Sequence, residues 1–405
     1  MKLNVCSVIA LVLLTTSCAA PIRSIDKETL VSNAANYSDS YNAELKEIGR
    51  KSELRIKSEY ARSLRNKNTE TYDILVLSGG GALGAFGAGF LQGWGEVEQE
   101  GIKRPNFDSV SGISTGALIA PFAFVGTDEA YETIVELYRN PDPQMVIAKL
   151  LVSLLSANSA VYDATKLHEQ IKESISPELI SEIVNRSKDN KTLLVGATNL
   201  DYGSMRVWDL ANLAANNSVS VAQELITERL IASSAIPGAF PPVMIDDSLY
   251  VDGGASMQVV SGIDDRSWLY GENEDIGLDN IDNTKPIQIR IWIVVNNKLV
   301  MDPDVTTPTW DAIATRSLVS LMRGSTLQTI QDVETFSQLI NKRPDFNVEM
   351  NYVAIPQSYV IPETTNLFDK QKMRGLVELG RELGRDPSSW RQRALRPGAS
   401  ILDLD

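Results

Sequence analysis

Apolar positions between residues 72 and 384 follow two alternating patterns. Continuous short runs are typical of strands buried on both faces, and they occur at 72–78, 107–113, 193–200, 249–252, 287–295 and 348–355. Between and after them, helical spacing predicts helices that include long ones at 310–340 and 368–384. Residues 206–208 are predicted to pair antiparallel with 193–200. Alternating strands and helices indicate an α/β fold with a largely parallel sheet covered on both faces.

The first residues have the pattern of a bacterial export signal. A basic start precedes an apolar run at 5–14, which is shorter than the roughly 20 residues that a membrane-spanning helix needs. The Leu-Thr-Thr-Ser that precedes Cys18 resembles the cleavage and lipidation box of bacterial lipoproteins. That resemblance implies a signal peptide at 1–17, a lipid anchor on Cys18 and, with Ala19 after it, the outer membrane of the cell envelope. The alternative is an ordinary secretory signal cut near Ala19 or Ala20.

Cysteine, histidine and charge narrow the chemistry. Of the two cysteines, Cys6 lies in the predicted signal peptide and Cys18 would be acylated, so neither is expected to serve as a catalytic thiol or in a disulfide. With His168 as the single histidine, zinc sites built on Cys and His are excluded, and no metal or other cofactor is expected. The net charge of −14 argues against a nucleic-acid partner, because such binding needs a basic face.

Two segments separate the signal from the α/β region. Residues 18–40 show little periodicity and are predicted to be a tether, whereas residues 41–70 are predicted to form a basic helix. This helix could lie on an anionic lipid surface. Packing on the main domain is favoured because the apolar spacing is irregular, and the packing residues would be Leu45, Ile48, Leu54, Ile56 and Leu64. The main domain is then predicted at 71–385, with a C-terminal tail at 386–405.

A glycine-rich loop, residues 79–84, follows the first predicted strand and opens a helix. Consecutive glycines leave backbone N–H groups unobstructed, and the helix N-terminus behind them favours an anion. For ester cleavage the anion is the tetrahedral oxyanion, and one donor to it is worth roughly 3 kcal/mol. The same glycines also fit the dinucleotide fingerprint G-x-G-x-x-G, with Glu98 or Glu100 at the required distance. The loop alone leaves both interpretations open.

The second motif, Gly112-Ile113-Ser114-Thr115-Gly116, has the form G-x-S-x-G after an apolar strand. This pattern places the serine hydroxyl at the tip of a strained turn between strand and helix. Its separation of about 35 residues from the glycine loop suits neighbouring parallel strands. Ser114 could instead cap the following helix, but the context favours a nucleophile.

A serine nucleophile needs a group that accepts its proton, and Asp252 is the candidate base. Val251-Asp252-Gly253-Gly254 taken alone would be an ordinary turn. His168 is predicted to lie at the surface or at a helix cap, because Leu167 and Ile171 beside it should face the core. A carboxylate can accept the proton if its surroundings are partly dry.

Together these motifs resemble the patatin-like phospholipase family. The matching segments keep their order and spacing at 78–84, 112–116, 232–243 and 250–254, and the likeness covers about residues 72–300. The resemblance implies a three-layer α/β fold and a catalytic dyad of Ser114 and Asp252. It further implies metal-free hydrolysis of lipid acyl esters, with an oxyanion hole formed by the backbone of Gly79, Gly80 and Gly81. Segment 232–243 is assigned a positioning role only.

The expected function is that of a lipid acyl hydrolase, a phospholipase or esterase, anchored to the membrane through Cys18 and acting on membrane lipids or lipid esters. The alternative is an envelope lipoprotein with weak or lost catalysis that binds lipid or serves as a scaffold. Leu83 favours that alternative, since the family usually has Arg or Lys at this position. A nucleotide-binding protein is the third hypothesis. Acidic residues 272–282 lack the spacing of a calcium loop and are predicted to be a solvated insertion.

Overall fold

The computed structural model describes residues 23, 25–66, 71–99, 102–142, 147–148, 162–257, 286–364 and 366–395. The predicted signal peptide, Cys18 and the acidic stretch 272–282 lie outside these residues. Among the described helices, none is both long enough and apolar enough to cross a membrane.

A sheet of eight strands forms the centre of the described chain. The strands of the molecule are β1 (Thr71–Leu77), β2 (Ser109–Ile113), β3 (Ile147–Ala148), β4 (Tyr162–Asp163), β5 (Thr192–Asn199), β6 (Ser204–Asp209), β7 (Val243–Ile245), β8 (Ser248–Asp252), β9 (Ile287–Val295) and β10 (Phe346–Ala354). Five of them run parallel in the order β10-β9-β1-β2-β5, and β6, β7 and β8 extend the sheet antiparallel. β3 and β4 form a separate pair.

Helices cover both faces of this sheet. They are α1 (Lys27–Asn66), α2 (Gly84–Gly95), α3 (Thr115–Val125), α4 (Asp128–Arg139), α5 (Thr165–Ser174), α6 (Pro177–Ser187), α7 (Leu210–Ala215), α8 (Val219–Ser233), α9 (Trp310–Ile340) and α10 (Lys370–Arg385). Alternate β1 residues face opposite sides. Leu75 and Leu77 pack with α2 to α8 and α10, whereas Ile74 and Val76 pack with α1 and α9. The predicted α/β fold with a largely parallel sheet between helical layers is confirmed.

Glycines allow α2 and α10 to pack with their backbones in close contact. A Cβ on Gly89 would lie 2.1 Å from the carbonyl oxygen of Val377, and one on Gly380 would lie 2.1 Å from that of Phe86. Gly87, on another side of α2, is the glycine that approaches the sheet, since its Cβ would lie 2.2 Å from Asn296 Oδ1. The small residues of α2 therefore serve two packing surfaces.

α1 begins at Lys27, so residues 27–40, which the sequence predicts to be part of a tether, are helical. The Asp26 carboxylate accepts a hydrogen bond from the Thr29 N–H at 2.8 Å and so caps the first turn. Tyr37 stacks on Tyr202 with ring centroids 4.0 Å apart. These contacts stabilise a helix whose local sequence lacks a clear apolar stripe.

The basic part of α1 packs on the domain, as its favoured interpretation predicts. Ile48 and Ile56 are buried there, whereas the expected packing of Leu54 and Leu64 is wrong because both are exposed. Its cations include Arg55, whose Nε donates to Asp108 Oδ1 at 2.8 Å. This helix is therefore joined to the sheet by both apolar and ionic contacts.

The first half of the predicted C-terminal tail belongs to the folded domain. The indole of Trp390 lies among aromatic rings, with centroids 4.8 Å from Trp94 and 5.0 Å from Trp292. The Arg391 N–H donates to the Tyr352 carbonyl at 2.8 Å and extends the edge of β10. The domain boundary at 385 is therefore wrong, because an aromatic anchor and a strand-edge contact hold the chain as far as residue 395.

Candidate active site

Ser114 occupies a strained turn between β2 and α3. Its φ of 55° and ψ of −124° lie in a region that non-glycine residues rarely adopt, at a cost of about 1–3 kcal/mol. Glycines permit the turn, because a Cβ on Gly112 would lie 2.2 Å from the Gly116 carbonyl oxygen and one on Gly116 would lie 2.3 Å from that of Leu77. The Ser114 side chain forms no capping hydrogen bond with α3. Its hydroxyl is therefore not used as a helix cap.

The edge of β5 explains how Asp252 reaches Ser114. β2 pairs with β5 as far as Ile113, which lies opposite Gly196. β8 pairs with the next part of β5, where Asp252 lies opposite Ala197. Because β6 occupies the other edge along this part of β5, β2 and β8 share one edge. Ser114 follows the end of β2 at the point where β8 delivers Asp252.

The carboxyl group of Asp252 is completely buried and lacks a cationic partner in the described chain. Oδ1 accepts a hydrogen bond from the Gly254 N–H at 2.7 Å, while Oδ2 has no hydrogen-bond partner among the described residues. Burial raises the pKa of this carboxyl to about 6, although the nearby Ser114 hydroxyl and the Gly254 N–H both lower it. A carboxyl group in these surroundings changes its protonation state at a higher pH than an exposed aspartate does.

The glycine loop lies beside the same serine. Gly81, with φ of +56°, lines a cleft that Ser114 also lines. Asn296 holds the loop by donating from Nδ2 to the Ser78 carbonyl at 2.8 Å, and a Cβ on Gly80 would lie 2.1 Å from the Asn296 carbonyl oxygen. Within the described chain, the N–H groups of residues 79–81 donate to no protein group. Of the three, Gly81 is the residue that lines the cleft with Ser114.

The end of α8 contributes residues that sequence reasoning did not single out. Ser233 Oγ accepts a hydrogen bond from the Ser114 N–H at 3.0 Å and donates to the Gly196 carbonyl at 2.7 Å. Two residues later, the Ala235 carbonyl accepts from the Asp252 N–H at 2.8 Å. Segment 232–243 is predicted to position Asp252. The contact of Ser233 with Ser114 could not be predicted, because no motif in the sequence marks Ser233.

An apolar cleft opens from Ser114 between α3, α4 and α5. It holds about 720 Å³ of empty space, counting the part that opens to solvent. Its apolar lining comes from Leu118, Ile134, Leu137, Leu167, Ile171, Ile236, Phe240, Phe368 and Met373. Among the described residues that line it, none is charged. Such a cleft suits a hydrocarbon chain.

The hydroxyl groups of Tyr138 and Thr115 lie next to Ser114 in the lining of the cleft. Tyr138 and Thr115 hydrogen-bond through their side-chain oxygens, and the Tyr138 hydroxyl also donates to the Thr115 carbonyl at 3.3 Å. Burial raises the pKa of Tyr138, which therefore stays protonated. A Cβ on Gly84 would lie 2.0 Å from Thr115 Oγ1, so Thr115 also packs tightly against the start of α2.

His168 and Leu83 lie outside the cleft. His168 is half-buried on α5 and lines a separate shallow pocket with Lys172 and Glu228, whereas its neighbours Leu167 and Ile171 face the cleft. Burial lowers the pKa of His168, and Asp163 partly opposes this effect. His168 thus lies away from Ser114, but it is half-buried and not at the surface or at the cap of α5, where the sequence predicts it.

The position of Leu83 is that of a packing residue. Its side chain is partly buried and packs against the main core at the start of α2.

The dinucleotide interpretation of the neighbouring glycines needs an acidic residue at the end of the next strand. β2 ends at Ile113 and leads into the serine turn, while Glu98 lies in the loop after α2. The glycine loop therefore lacks the partner that a dinucleotide site requires.

Fold and site together define an α/β protein with a serine on a strand-to-helix turn at the carboxyl edge of a parallel sheet. Residues 75–260 match the model of the patatin-like phospholipase family. The chain thus contains a patatin-like phospholipase domain over these residues.

Similarity to individual proteins is weaker. An uncharacterized protein of Acanthamoeba polyphaga mimivirus is 26% identical over 185 residues, which are 45% of this chain and 58% of that relative. The match thus spans less than two thirds of the relative's length. The crystal structure of VipD from Legionella pneumophila superposes with a TM-score of 0.36 and 14% identity, over 81% of this chain and 68% of that chain.

Proposed function

We propose that this protein hydrolyses acyl esters of lipids, with Ser114 as nucleophile and Asp252 as base. The observation that carries the proposal is the edge of β5, which brings a strained serine and a buried, unpaired carboxylate together at an apolar cleft. The match of residues 75–260 to the model of the patatin-like phospholipase family supports it. The absence of charged residues among the described cleft lining suits the acyl part of such a substrate.

In the first half-reaction, Ser114 Oγ attacks the carbonyl carbon of the ester and its proton passes to Asp252 Oδ2. Apo geometry is commonly looser than the reacting geometry, so the free Oδ2 is expected to accept this hydrogen bond when substrate is bound. The N–H groups of Gly79, Gly80 and Gly81 stabilise the oxyanion. The intermediate collapses, the C–O bond to the alcohol breaks, and Asp252 returns its proton to the leaving oxygen.

In the second half-reaction, Asp252 removes a proton from water as the water oxygen attacks the acyl carbon. Collapse of this intermediate breaks the bond to Ser114 Oγ, which regains the proton from Asp252, and the fatty acid leaves. The predicted anchor on Cys18, at the outer membrane of the envelope, would raise the local concentration of lipid substrate. Localisation and anchor are part of the proposal.

A fluorophosphonate probe and a soluble p-nitrophenyl ester test the dyad. We expect the probe to label Ser114, as mapped by mass spectrometry, and Ser114→Ala to abolish both labelling and hydrolysis. Asp252→Asn should lower kcat by roughly 10²- to 10⁴-fold, the range for loss of a general base. His168→Ala is the matched control and should retain full activity. Full hydrolysis by a folded Asp252→Asn protein would sink the proposal.

A further inference from the structure

The first half of α9 lies at the carboxyl edge of the sheet. Its C-terminal part packs on the sheet through Ile330, Val333 and Phe336, and Asn341 bonds to Val348 near the start of β10. Towards the other end, Arg323 donates from Nη2 to Asn297 Oδ1 at 2.9 Å, and Asn297 comes two residues after β9 ends. Arg323 therefore marks the carboxyl edge. The 13 residues that precede it in α9 span about 20 Å, and in this stretch Arg316 donates to the Asp302 carbonyl at 2.8 Å.

This first half of α9, residues 310–322, carries an exposed apolar stripe. Trp310 is 84% exposed, Leu321 is 72% exposed and Ile313 is 50% exposed. At 100° per residue, these three side chains fall within about 80° of the helix circumference. We call Trp310, Ile313 and Leu321 the α9 stripe. Large apolar side chains grouped on one exposed surface mark a site of interaction with a partner or a membrane.

The carboxyl edge also carries the proposed catalytic residues and the start of the described chain. α9 lies against the turn Gly253–Ala255, which directly follows Asp252. Arg23 forms an ion pair with Asp201, just beyond the end of β5, and donates to the Asp247 carbonyl at 2.6 Å. Cys18 precedes Arg23 by five residues, which span at most about 18 Å. An anchor on Cys18 would therefore meet the membrane near this same edge.

We propose that the α9 stripe is the surface with which this protein sits on a lipid bilayer, the carboxyl edge of its sheet facing the membrane. Tryptophan and aliphatic side chains on one helix face are suited to the bilayer interface. The net charge of −14 gives no general attraction to anionic lipids, so burial of apolar surface drives the contact. This inference rests on the proposed lipid hydrolysis for its purpose, since it brings the cleft to its substrate.

Flotation with phosphatidylcholine vesicles tests the surface. The protein is the mature chain from residue 19, which keeps every described residue, with Ser114→Ala to prevent lipid turnover. We expect Trp310→Asp and Leu321→Asp each to lower the partition coefficient roughly tenfold, because binding scales with the apolar area buried. Leu339→Asp is the matched control, because Leu339 is 43% exposed on the same helix near its other end. It should bind like the parent, and high salt should leave binding unchanged.

Fluorescence locates the contact. Vesicles containing dibrominated phosphatidylcholine should quench the parent, and Trp310→Phe should remove most of that quenching. The proposal is overturned if Trp310→Asp binds vesicles normally. It is equally overturned if acrylamide does not reach Trp310 in solution, so that the chain itself covers the stripe, or if the protein is a dimer that Trp310→Asp dissociates.

A soluble ester separates this inference from the proposed function. In the active protein, which keeps Ser114, Trp310→Asp and Leu321→Asp should leave the rate of hydrolysis of a short p-nitrophenyl ester unchanged. If no variant hydrolyses esters but vesicle binding still depends on Trp310, the lipid surface stands and the proposed catalysis fails. If hydrolysis is normal and vesicle binding does not depend on the α9 stripe, the proposed catalysis stands and the lipid surface fails.

Discussion

The two ends of the central sheet hold buried aspartates in opposite surroundings. At the amino end, Asp108 receives hydrogen bonds from Arg55 at 2.8 Å and lies 3.2 Å from Lys191 Nζ. At the carboxyl edge, Asp252 is equally buried, has no cation beside it in the described chain and leaves one oxygen without a partner. The same type of side chain is therefore held by cations at one end, whereas at the other end it is the proposed proton acceptor.

The difference teaches how burial acts on a carboxylate. Surrounding cations offset the desolvation of a buried charge and hold the elements that supply them, as when Asp108 joins α1 to the strand ends. Without cations, desolvation outweighs the hydrogen bonds from Ser114 and Gly254 and raises the pKa of Asp252 to about 6. A buried carboxylate without its cation is costly to stability, and such groups concentrate at functional sites.

The largest effect on stability is expected when the ion pairs of Asp108 at the amino end of the sheet are broken. Asp108→Asn leaves the charges of Arg55 and Lys191 buried and poorly compensated, so we expect a loss of about 3–5 kcal/mol in the free energy of unfolding. Urea denaturation measures it. Hydrolysis per active site, counted with fluorophosphonate, should be unchanged. Glu44→Gln, in the partly exposed pair with Arg206, is the control and should lose less than about 1 kcal/mol.

The same substitution at Asp252 should have the opposite sign. Because the folded pKa of about 6 lies above the unfolded value of about 4, the folded state binds this proton more tightly. That stabilisation is present below pH 4 and is lost as pH rises through 6, where ionisation costs about 3 kcal/mol. We expect Asp252→Asn to match the parent at pH 4 and to exceed its unfolding free energy by up to about 3 kcal/mol at pH 8.

The pH dependence of the parent enzyme checks the same assignment. Only the ionised Asp252 accepts a proton, so kcat/KM should fall with decreasing pH below about 6. A denaturation series at pH 4, 6 and 8 gives the stability arm. If the Asp252→Asn protein is less stable than the parent at pH 8, the ionised carboxylate of Asp252 stabilises the fold, as that of Asp108 does.

The sequence predicts those parts of the molecule in which local pattern and steric need coincide. The strand Ile287–Val295 lies where its apolar run places it, and β6 pairs antiparallel with β5 as expected. Gly112 and Gly116 are detectable because a side chain at either position would collide with backbone. Such requirements act within a few residues of the motif, so they are visible before the fold is known.

Features that depend on distant contacts were missed. Residues 27–40 are helical because rings such as Tyr37 find Tyr202, which the local sequence does not disclose. Trp390 is held in the domain by Trp94 and Trp292, both far away along the chain. The place of the first half of α9 at the carboxyl edge follows from the contact between Arg323 and Asn297 and not from helix length alone. Sequence patterns encode which residues are apolar, but not which partners they meet.

Ser233 gives the smallest effect and the finest test of the carboxyl edge. Its hydroxyl links the Ser114 N–H to the Gly196 carbonyl, and the Ala235 carbonyl holds the Asp252 N–H, so the end of α8 keeps nucleophile and base in register. Ser233→Ala leaves a buried N–H and a buried carbonyl without this link. We expect kcat to fall roughly tenfold with little change in KM, because the hydroxyl positions the nucleophile without lining the cleft.

The measurement pairs steady-state kinetics with the rate of fluorophosphonate labelling, which should fall by a similar factor. Ser218→Ala, at the other end of α8, is the control and should leave both rates unchanged. Ser233→Thr keeps the hydroxyl and should recover part of the lost kcat. If Ser233→Ala lowered only thermal stability, with kcat and the labelling rate unchanged in the folded fraction, Ser233 would have a purely structural role, like Asp108. A loss confined to kcat instead makes the register between Ser114 and Asp252 the property that the end of α8 maintains.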